Sequence, residues 1–526
     1  MGLGRASAMI AAGTLASRVT GLLRAMVLVA AVGSIGQAGD AFATANQLPN
    51  SIYQVSSAGL LTGVIVPQVV RVSAQKDGGH DFLAKLLTLG VVAVGSVTIV
   101  ATFAAPVLVN IYSQYGSAQH DLAVQFAYWC IPQLFFYGMF ALLGEILNAR
   151  RIFAPYAWAP IMNNVVSIAG FLVFIALFGG GQSAVEGWTP LMEFVLAGTA
   201  TLGVIAQTIV LVFFWRKAGI PLRFDFRWRG MGLGTMGKLA TWTLLTTLLG
   251  QLVGIVQALV VTPASGDHPS VAASGYAGLV YLVPYSGIIL AIGTPYFTRI
   301  SEHATAAKHG QVLEDIGQSL RVLGVFVMVA TAAVAAAAVP ASRVFSGSAA
   351  DAVAIAPVLL AYLISLIPMA VLFIVQRTFY AYVDARTPFV FTLVQAGLVL
   401  TLTLAVGFTM PIDDRAAAVA LAQSCAGIIQ TVVATILLRR KLGPLGLRST
   451  WWALVRFAAM AIPAGLAGWG VYRLTGGDSG WMLSSQLSGV LGSLLIAAAA
   501  GAVYVILLAL TRAPELRIAV NAIRRR

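Results

Sequence analysis

Residues 354–383 read AIAPVLLAYLISLIPMAVLFIVQRTFYAYV, and Arg377 is the one charged residue in this run. A helix needs roughly 20 predominantly apolar residues to cross a bilayer, so the run predicts a membrane span. The same pattern recurs along the chain, and the other predicted spans are 7–33, 38–70, 84–112, 122–148, 155–179, 192–215, 234–262, 274–298, 320–341, 388–410, 416–438, 452–474 and 485–511. The sequence therefore predicts an all-α integral membrane protein with fourteen transmembrane helices.

The composition of the whole chain agrees with this prediction. Of 526 residues, 59% are hydrophobic and 10% are charged, and the mean hydropathy is +0.89. Soluble globular chains carry about 25% charged residues, so the composition excludes an ordinary soluble enzyme. The two cysteines, Cys130 and Cys425, lie in apolar runs without the spacing of a metal site, and we interpret them as small core residues.

The net charge of +14 is explained by membrane topology. With the N-terminus in the cytoplasm and fourteen spans, cytoplasmic segments and span ends hold 26 of the 32 Lys and Arg residues. Outside segments hold Arg343, Arg415 and Arg473. Cytoplasmic loops are enriched in basic residues, so this bias predicts a multi-pass plasma membrane protein with both termini cytoplasmic, and no nucleic-acid partner is needed to explain it.

Three pairs of motifs recur in the same order in the two halves of the chain. They are Pro67 with Arg71 and Pro295 with Arg299; Pro132 with Arg150 and Pro368 with Arg386; and Gln207-Thr208 and Gln430-Thr431. Each half holds six spans, an even number, so the halves have the same orientation and form two six-helix lobes related by a pseudo-twofold axis along the membrane normal. We predict an N-lobe over 1–230, a C-lobe over 231–445 and two additional C-terminal helices over 446–526.

The first predicted span contains two arginines, Arg18 and Arg24. A charge at the bilayer centre costs about 2.5–3.5 kcal/mol or more, so each guanidinium is expected to meet a partner or water. Their spacing of six residues corresponds to about 120° around a helix and about 9 Å along it, so the two could line adjacent walls of one cavity. A guanidinium is a planar fork that suits diphosphate, which favours an anionic substrate.

Polar side chains in other spans complete the predicted substrate-binding set. Besides Arg18 and Arg24 it comprises Asp40, Asn46, Asn50, Tyr53 and Gln54 in the second span, Gln251 and Gln257 in the seventh, and Tyr281 in the eighth. For the glutamines and tyrosines, hydrogen bonding between helices is an equally good interpretation. No catalytic or metal-binding constellation is found, so we expect a transporter rather than an enzyme. No nucleotide-binding motif is found either, so we expect no cofactor, with an ion gradient or the membrane potential as the energy source.

Other polar groups within spans have simpler interpretations. Asn163 and Asn164 are expected to form hydrogen bonds between helices, and Glu145 is expected to form a local ion pair with Arg150. Arg377 is expected in the middle of its span, and we interpret it as a residue that neutralises or restrains its own lobe rather than one that binds substrate.

The sequence resembles the MurJ (MviN-like) lipid II flippases of the MOP transporter superfamily, in an actinobacterial form. The motifs that carry the resemblance are Ser17-Arg18, Gly21, Arg24, Asp40-Ala41-Phe42, Leu48-Pro49-Asn50, Gly59, Pro67, Ile131-Pro132-Gln133, Asn148-Ala149-Arg150, Ala159-Pro160 and Asn163-Asn164. The resemblance implies a central cationic cavity for a diphosphate-sugar headgroup, with Arg18 and Arg24 on the phosphates. It also implies that the last two spans form a groove for the polyprenyl tail, and it makes the cell-wall synthesis machinery an expected partner.

The chain departs from the family pattern at three places. Ala25 stands where many members carry an acid, Ile52 and Tyr53 stand where many carry an arginine, and residues 281–284 lack a further arginine. Alternatives within the same class are an exporter of another polyprenyl-linked glycan and a drug–cation antiporter. From other classes, a membrane-embedded glycosyltransferase and a transport-dead cell-wall scaffold remain open.

Overall fold

The computed structural model describes residues 3–58, 80–150, 152–217, 223–227 and 237–511. Within these ranges all regular structure is helical, and no strand occurs. The chain forms two compact units, Met1–Asp267 and His268–Arg526. The predicted seventh span lies in the first unit, and the predicted lobe boundaries, which rest on the sequence repeat, stay a prediction.

The first unit contains ten α-helices in the described residues. They are α1 Leu3–Val32, α2 Gln37–Ala58, α3 His80–Phe103, α4 Ala105–Tyr112, α5 Ser117–Cys130, α6 Gln133–Ala149, α7 Ala154–Phe178, α8 Pro190–Glu193, α9 Thr199–Lys217 and α10 Gly237–Val261. A π-helical turn, Phe194–Gly198, joins α8 to α9, and a short 3-10 turn, Thr262–Ala264, follows α10.

The second unit also contains ten α-helices in the described residues. They are α11 Val271–Pro284, α12 Ala291–Thr305, α13 His309–Ala336, α14 Ala338–Arg343, α15 Ala349–Leu363, α16 Leu366–Ala381, α17 Arg386–Thr409, α18 Arg415–Leu442, α19 Arg448–Leu474 and α20 Gln486–Leu510. A π-helical turn, Tyr285–Leu290, joins α11 to α12. Because a π-turn inserts an extra residue, it changes which side chains α12 presents relative to α11.

Thirteen helical stretches of the described residues are long and apolar enough to cross a membrane. They correspond to thirteen of the fourteen predicted spans, which confirms the all-α membrane fold. The described part of the remaining predicted span, 38–70, is the helix Gln37–Ala58, which is too polar to count as a span by composition. Its continuation, with Pro67 and Arg71, lies outside the described residues, as does the C-terminal tail after residue 511.

Close helix packing in the first unit depends on glycine. In α9, a Cβ atom at Gly203 would lie 2.7 Å from the backbone oxygen of Asn163 in α7 and 2.7 Å from Ser167 Oγ. Small residues let membrane helices approach to such distances, because nothing but dispersion and hydrogen bonding holds them together in lipid. Gly203 therefore sets the distance between α7 and α9.

In the second unit, the two helices after the repeat are held to the body of the unit. α19 packs on α13 and α20, and α20 also packs on α14. Arg343, at the end of α14, is buried and donates hydrogen bonds to the backbone oxygens of Leu483 (2.9 Å) and Ser346 (2.5 Å). Through these hydrogen bonds, Arg343 fixes the connection between α19 and α20 to the end of α14.

Equivalent hydrogen bonds in the two units bear out the internal repeat. The bonds run from Thr201 Oγ1 to Trp129 O (2.7 Å), from Thr208 Oγ1 to Phe136 O (3.2 Å), from Ser424 Oγ to Ala361 O (2.7 Å) and from Thr431 Oγ1 to Pro368 O (3.2 Å). Both donors are displaced by 223 residues between the units, and both acceptors by 232. The predicted match of Thr208 with Thr431 is confirmed. The predicted match of Pro132 with Pro368 is one helical turn out of register, because Pro368 takes the place of Phe136.

The loop between α16 and α17 contains an ion pair with a pH-dependent contribution to stability. Asp384 accepts hydrogen bonds from Lys441 Nζ (2.6 Å) and from the hydroxyl (2.9 Å) and backbone N–H (3.0 Å) of Thr387. Burial raises the pKa of Asp384, but these donors lower it more, so the pKa lies below its ordinary value. A depressed carboxylate pKa stabilises the fold above the unfolded-state pKa, and this contribution is lost as the pH falls through the folded-state pKa.

We therefore expect Asp384→Asn to lower the thermal unfolding midpoint at pH 7. Below pH 4, the difference in midpoint between wild type and variant should decrease as the pH is lowered. Thermal unfolding of the purified protein in detergent, measured for wild type and variant across that range, checks this. Asp413→Asn, in an exposed turn, is the control and should show no such trend. A variant deficit that stayed constant from pH 7 to pH 3 would contradict the assignment.

Candidate functional site

The first helix is attached to α7 by an asparagine. Asn164 is buried, and its Nδ2 donates to Ser17 O (3.0 Å) and to Thr20 Oγ1 (2.9 Å). The interpretation of Asn164 as a bond between helices is confirmed. Residues 17, 20 and 24 share one face of a helix, so this attachment also fixes the direction in which Arg24 leaves α1.

Arg24 is half-buried, and its guanidinium interacts electrostatically with Tyr137 of α6. Arg18, two turns earlier, is exposed. Neither arginine has a hydrogen bond or ion pair within the described part of the chain. Within a predicted span, neither guanidinium thus donates an N–H to a described residue, which is the arrangement that an anionic ligand requires.

A chain of polar side chains extends from Tyr137 through the interior of the first unit. The Tyr137 hydroxyl donates to Gln133 Oε1 (3.1 Å), and Gln133 Nε2 donates to Asn46 Oδ1 (3.2 Å) and Thr201 Oγ1 (3.0 Å). Asn46 belonged to the predicted set, but the roles of Gln133 and Tyr137 were missed. The available signal was a glutamine directly after Pro132 with a tyrosine one turn later, both in the middle of an apolar span.

Helix α2 has one apolar face and one polar face. Ala41, Ala45 and Leu48 are fully buried, whereas Asn50 and Gln54 are exposed. Amide side chains cannot be satisfied by hydrocarbon, so the polar face of α2 requires water or a polar ligand. The same polar side chains explain why α2 is not recognised as a span by composition.

Two more predicted residues extend this polar face. Tyr53 of α2 packs near Tyr137, with ring centroids 6.2 Å apart. Gln251 of α10 donates from Nε2 to Gln54 Oε1 (3.3 Å), and Gln257 lies half-buried further along α10. The structure thus brings Asn46, Tyr53 and Gln54 together with Gln251 within the first unit.

Asp40 is placed differently from the other predicted residues. Its side chain is completely buried in the first turn of α2, and its Oδ2 accepts a hydrogen bond from Ser265 Oγ (2.6 Å). Gln119 Nε2 donates to the same Ser265 hydroxyl (2.7 Å). A carboxylate in the first turn is also favoured by the helix dipole. Asp40 therefore fastens the start of α2 to the segment that follows α10, and its predicted contact with substrate stays a prediction.

We expect Ser265→Ala and Asp40→Asn each to destabilise the protein by about 1–2 kcal/mol, because each weakens a hydrogen bond to a buried carboxylate. Thermal unfolding in detergent is the measurement. The double variant should lose less than the sum of the two, since both substitutions affect the same hydrogen bond. Ser286→Ala, which removes a hydroxyl bonded only within its own helix turn, is the control. Additive losses would show that the two side chains do not interact.

Two other expectations concern single residues. The predicted ion pair between Glu145 and Arg150 is wrong: Glu145 is half-buried and has no ion pair within the described residues. Tyr281 belongs to the second unit, where its hydroxyl lies 3.2 Å from Ser365 Oγ and its ring 6.0 Å from that of Tyr362. In this structure Tyr281 joins α11 to α15.

Chemically, the site in the first unit combines amides and phenols with two guanidinium groups that have no hydrogen bond or ion pair to a described residue. No group of three potential metal ligands occurs among the residues that the structure describes. Such a set of N–H and O–H donors suits an anionic, polar ligand. The fold and the site together define the class of multi-pass membrane transporters.

Comparisons with known proteins identify the family. The family model described as "Lipid II flippase MurJ" matches residues 29–492. The chain therefore belongs to the MurJ lipid II flippase family. A probable lipid II flippase MurJ of Rhizobium tropici is 26% identical over 57% of this chain and 55% of that protein, so this alignment spans about half the length of the relative. The corresponding protein of Synechocystis sp. is 24% identical over 98% of this chain and 95% of its own length.

Solved structures show the same fold. A lipid II flippase MurJ in an inward closed conformation matches with a TM-score of 0.69 and 19% identity, covering 93% of this chain and 98% of that one. An inward-facing multidrug resistance MATE family transporter of the MOP superfamily matches with a TM-score of 0.67 and 12% identity, covering 82% and 96%. These likenesses agree with the expected MOP-type transporter fold.

Proposed function

We propose that this protein translocates lipid II, the lipid-linked peptidoglycan precursor, from the inner to the outer leaflet of the plasma membrane. Membership of the MurJ family supports this function. The observation in the structure that carries the proposal is Arg24, a half-buried guanidinium without a hydrogen bond or ion pair in the described residues. It lies beside the Tyr137–Gln133–Asn46 chain, which could bind sugar hydroxyls.

The physical problem for such a transporter is the headgroup. Moving a diphosphate and its sugars through hydrocarbon is prohibitive, because charges and hydroxyls would lose their hydration without replacement. The polar face of α2 and the free arginines replace that hydration, while the polyprenyl tail stays in lipid. We propose alternating access, in which headgroup binding shifts the population from inward-open to outward-open states.

The same proposal includes topology and energetics. Both termini are cytoplasmic, as the distribution of basic residues predicts. The energy comes from the membrane potential or an ion gradient, without a cofactor. The cell-wall synthesis machinery receives the product on the outer side. In agreement with family membership, the protein is a transporter and not an enzyme.

Complementation of a strain depleted of its own lipid II flippase tests the proposal. Expression of this protein should restore growth and cell shape, and purified protein in liposomes should move fluorescent lipid II between leaflets. Failure in both assays, with the protein folded and inserted in the membrane, would overturn the proposed function.

A second candidate is export of another polyprenyl-linked glycan. Tyr53 stands where many relatives carry an arginine, and in the structure the polar face of α2 near Tyr53 is formed by uncharged side chains. A headgroup with fewer phosphates would suit this face. Competition between lipid II and a polyprenyl monophosphate glycan for the purified protein separates the two functions.

A further inference from the structure

Arg377 of the second unit lies in an aromatic environment near the end of a span. It is half-buried in α16, four residues before the helix ends at Ala381, which corresponds to about one helical turn. This position corrects the expectation of a mid-span residue. Its guanidinium carbon lies 5.1 Å from the ring centroid of Phe373, 5.2 Å from that of Phe297 and 6.0 Å from that of Tyr380.

These contacts join two helices of the second unit, whereas the interpretation of Arg377 as a residue that restrains its lobe stays a prediction. Phe297 belongs to α12, whereas Phe373 and Tyr380 belong to α16. Cation–π contacts of this kind place a guanidinium over the faces of aromatic rings. They leave the edges of the guanidinium, where the N–H donors point, available for other partners.

The N–H donors of Arg377 are unused. Arg377 has no hydrogen bond or ion pair with any residue that the structure describes, and its nitrogen atoms are not among the buried ones that lack partners. Two other arginines of the second unit use their N–H donors within the protein. Arg299 pairs with Asp315 (2.6 Å), and Arg415 donates to Gly407 O (2.9 Å). Arg377 therefore combines a fixed position with accessible donors.

The internal repeat shows that this cation is specific to the second unit. The hydrogen bonds between spans relate α6 to α16 by an offset of 232 residues. This offset places Glu145 of α6 at the position of Arg377. The first unit thus carries a carboxylate at the register position where the second unit carries a guanidinium. An anion would be repelled by Glu145 in the first unit and attracted by Arg377 in the second.

We propose that Arg377 is a phosphate-binding residue of the second unit, which binds the diphosphate of a polyprenyl diphosphate at the end of α16. A planar guanidinium can present two parallel N–H donors to two phosphate oxygens in its own plane. The nearby phenols of Tyr285 and Tyr380 interact electrostatically with Arg377 and could donate to the same oxygens. The site rests on the proposed function and adds a residue that the motifs of the resemblance do not contain.

Binding of undecaprenyl diphosphate to the purified full-length protein in lipid nanodiscs tests the site. Arg377→Gln should weaken binding about tenfold, as expected for the loss of a charge-assisted bidentate contact. Arg377→Lys keeps the charge but not the fork, so a smaller loss of about threefold is expected. Arg321→Gln, which replaces an arginine of α13 that contacts Ser449 Oγ at 3.5 Å, is the matched control and should bind like wild type.

Competitors distinguish the sources of phosphate. Inorganic pyrophosphate should displace the probe at high concentration, undecaprenol should not, and nanodiscs rich in phosphatidylglycerol should leave the affinity unchanged. If phosphatidylglycerol competed as well as the diphosphate, the site would be a general anionic-lipid site and the proposal would be overturned. It would also be overturned if both Arg377→Lys and Arg377→Gln bound the probe as wild type does. If Arg377→Gln does not fold, Arg377→Lys alone decides.

The outcomes for this site and for the proposed function are separable. If wild type flips lipid II and Arg377→Lys and Arg377→Gln both bind and flip normally, the site fails and the function stands. If wild type does not flip lipid II but binds the diphosphate in an Arg377-dependent way, the function fails and the site stands.

Discussion

Replacing Arg24 by alanine is expected to reduce the affinity for lipid II about 30-fold or more and to abolish complementation of a flippase-depleted strain. Truncating one partner of a buried charge pair costs about 2–5 kcal/mol, and each 1.4 kcal/mol is a factor of ten. Arg24 has no hydrogen bond or ion pair to lose within the described residues, so the fold should be little affected. Lipid II binding by purified protein and flipping in liposomes are the measurements.

Two variants control this experiment. Arg24→Lys keeps the charge and should retain part of the affinity, because an ammonium cannot make the bidentate contact. Arg415→Ala, which removes an arginine bonded to the backbone oxygen of Gly407, should transport like wild type. Full flipping by Arg24→Ala, with normal thermal stability, would show that the free guanidinium of α1 has no part in transport.

Replacing Gly203 by alanine is expected to destabilise the protein by about 3 kcal/mol, at the upper end for overpacking. The added Cβ would lie 2.5 Å from Asn163 Oδ1 and 2.7 Å from the backbone oxygen of the same residue. A side chain could move aside, but the backbone can yield only if α7 and α9 separate along their contact. Thermal unfolding in detergent measures the loss, and the expression level should fall with it.

Gly254→Ala in α10 is the matched control. A Cβ at Gly254 would meet no atom within 4 Å, so the substitution adds no clash and removes glycine flexibility from a helix interior. It is expected to leave stability unchanged or to raise it by about 0.5–1 kcal/mol. Equal destabilisation by Gly203→Ala and Gly254→Ala would show that the close contact between α7 and α9 is not the cause of the loss.

Much of the candidate site follows from single residues in the sequence. Arg18 and Arg24 stand out because a charge in an apolar span is costly, and the structure gives neither of them a hydrogen bond or ion pair in its described part. Asn50 and Gln54 stand out in the same way, and the structure places them on the exposed face of α2. In each case the penalty for a polar group in hydrocarbon is local, so it is visible without knowledge of neighbours.

Other residues could not be assigned without coordinates. From the sequence, Asp40 is a candidate for binding substrate. In the structure it is buried and accepts a hydrogen bond from Ser265, which follows 225 residues later. From the sequence, Gln133 is part of a motif without an assigned role. In the structure its side chain donates hydrogen bonds to both α2 and α9. Such contacts depend on which helix faces meet, and helical periodicity does not specify that, because each face of a membrane helix can be apolar.

By itself, the sequence determined the membrane environment, thirteen of the spans, the repeat and the unusual charges, because hydrocarbon penalises each unsuitable residue one at a time. The tertiary structure alone decided the register of the repeat, which is one turn away from the alignment of Pro132 with Pro368. It also decided that aromatic rings surround Arg377 and that Glu145 occupies the equivalent position in the first unit. These features arise from helices that pack side by side, and the energies that select one packing are sums over many contacts between residues distant in the chain.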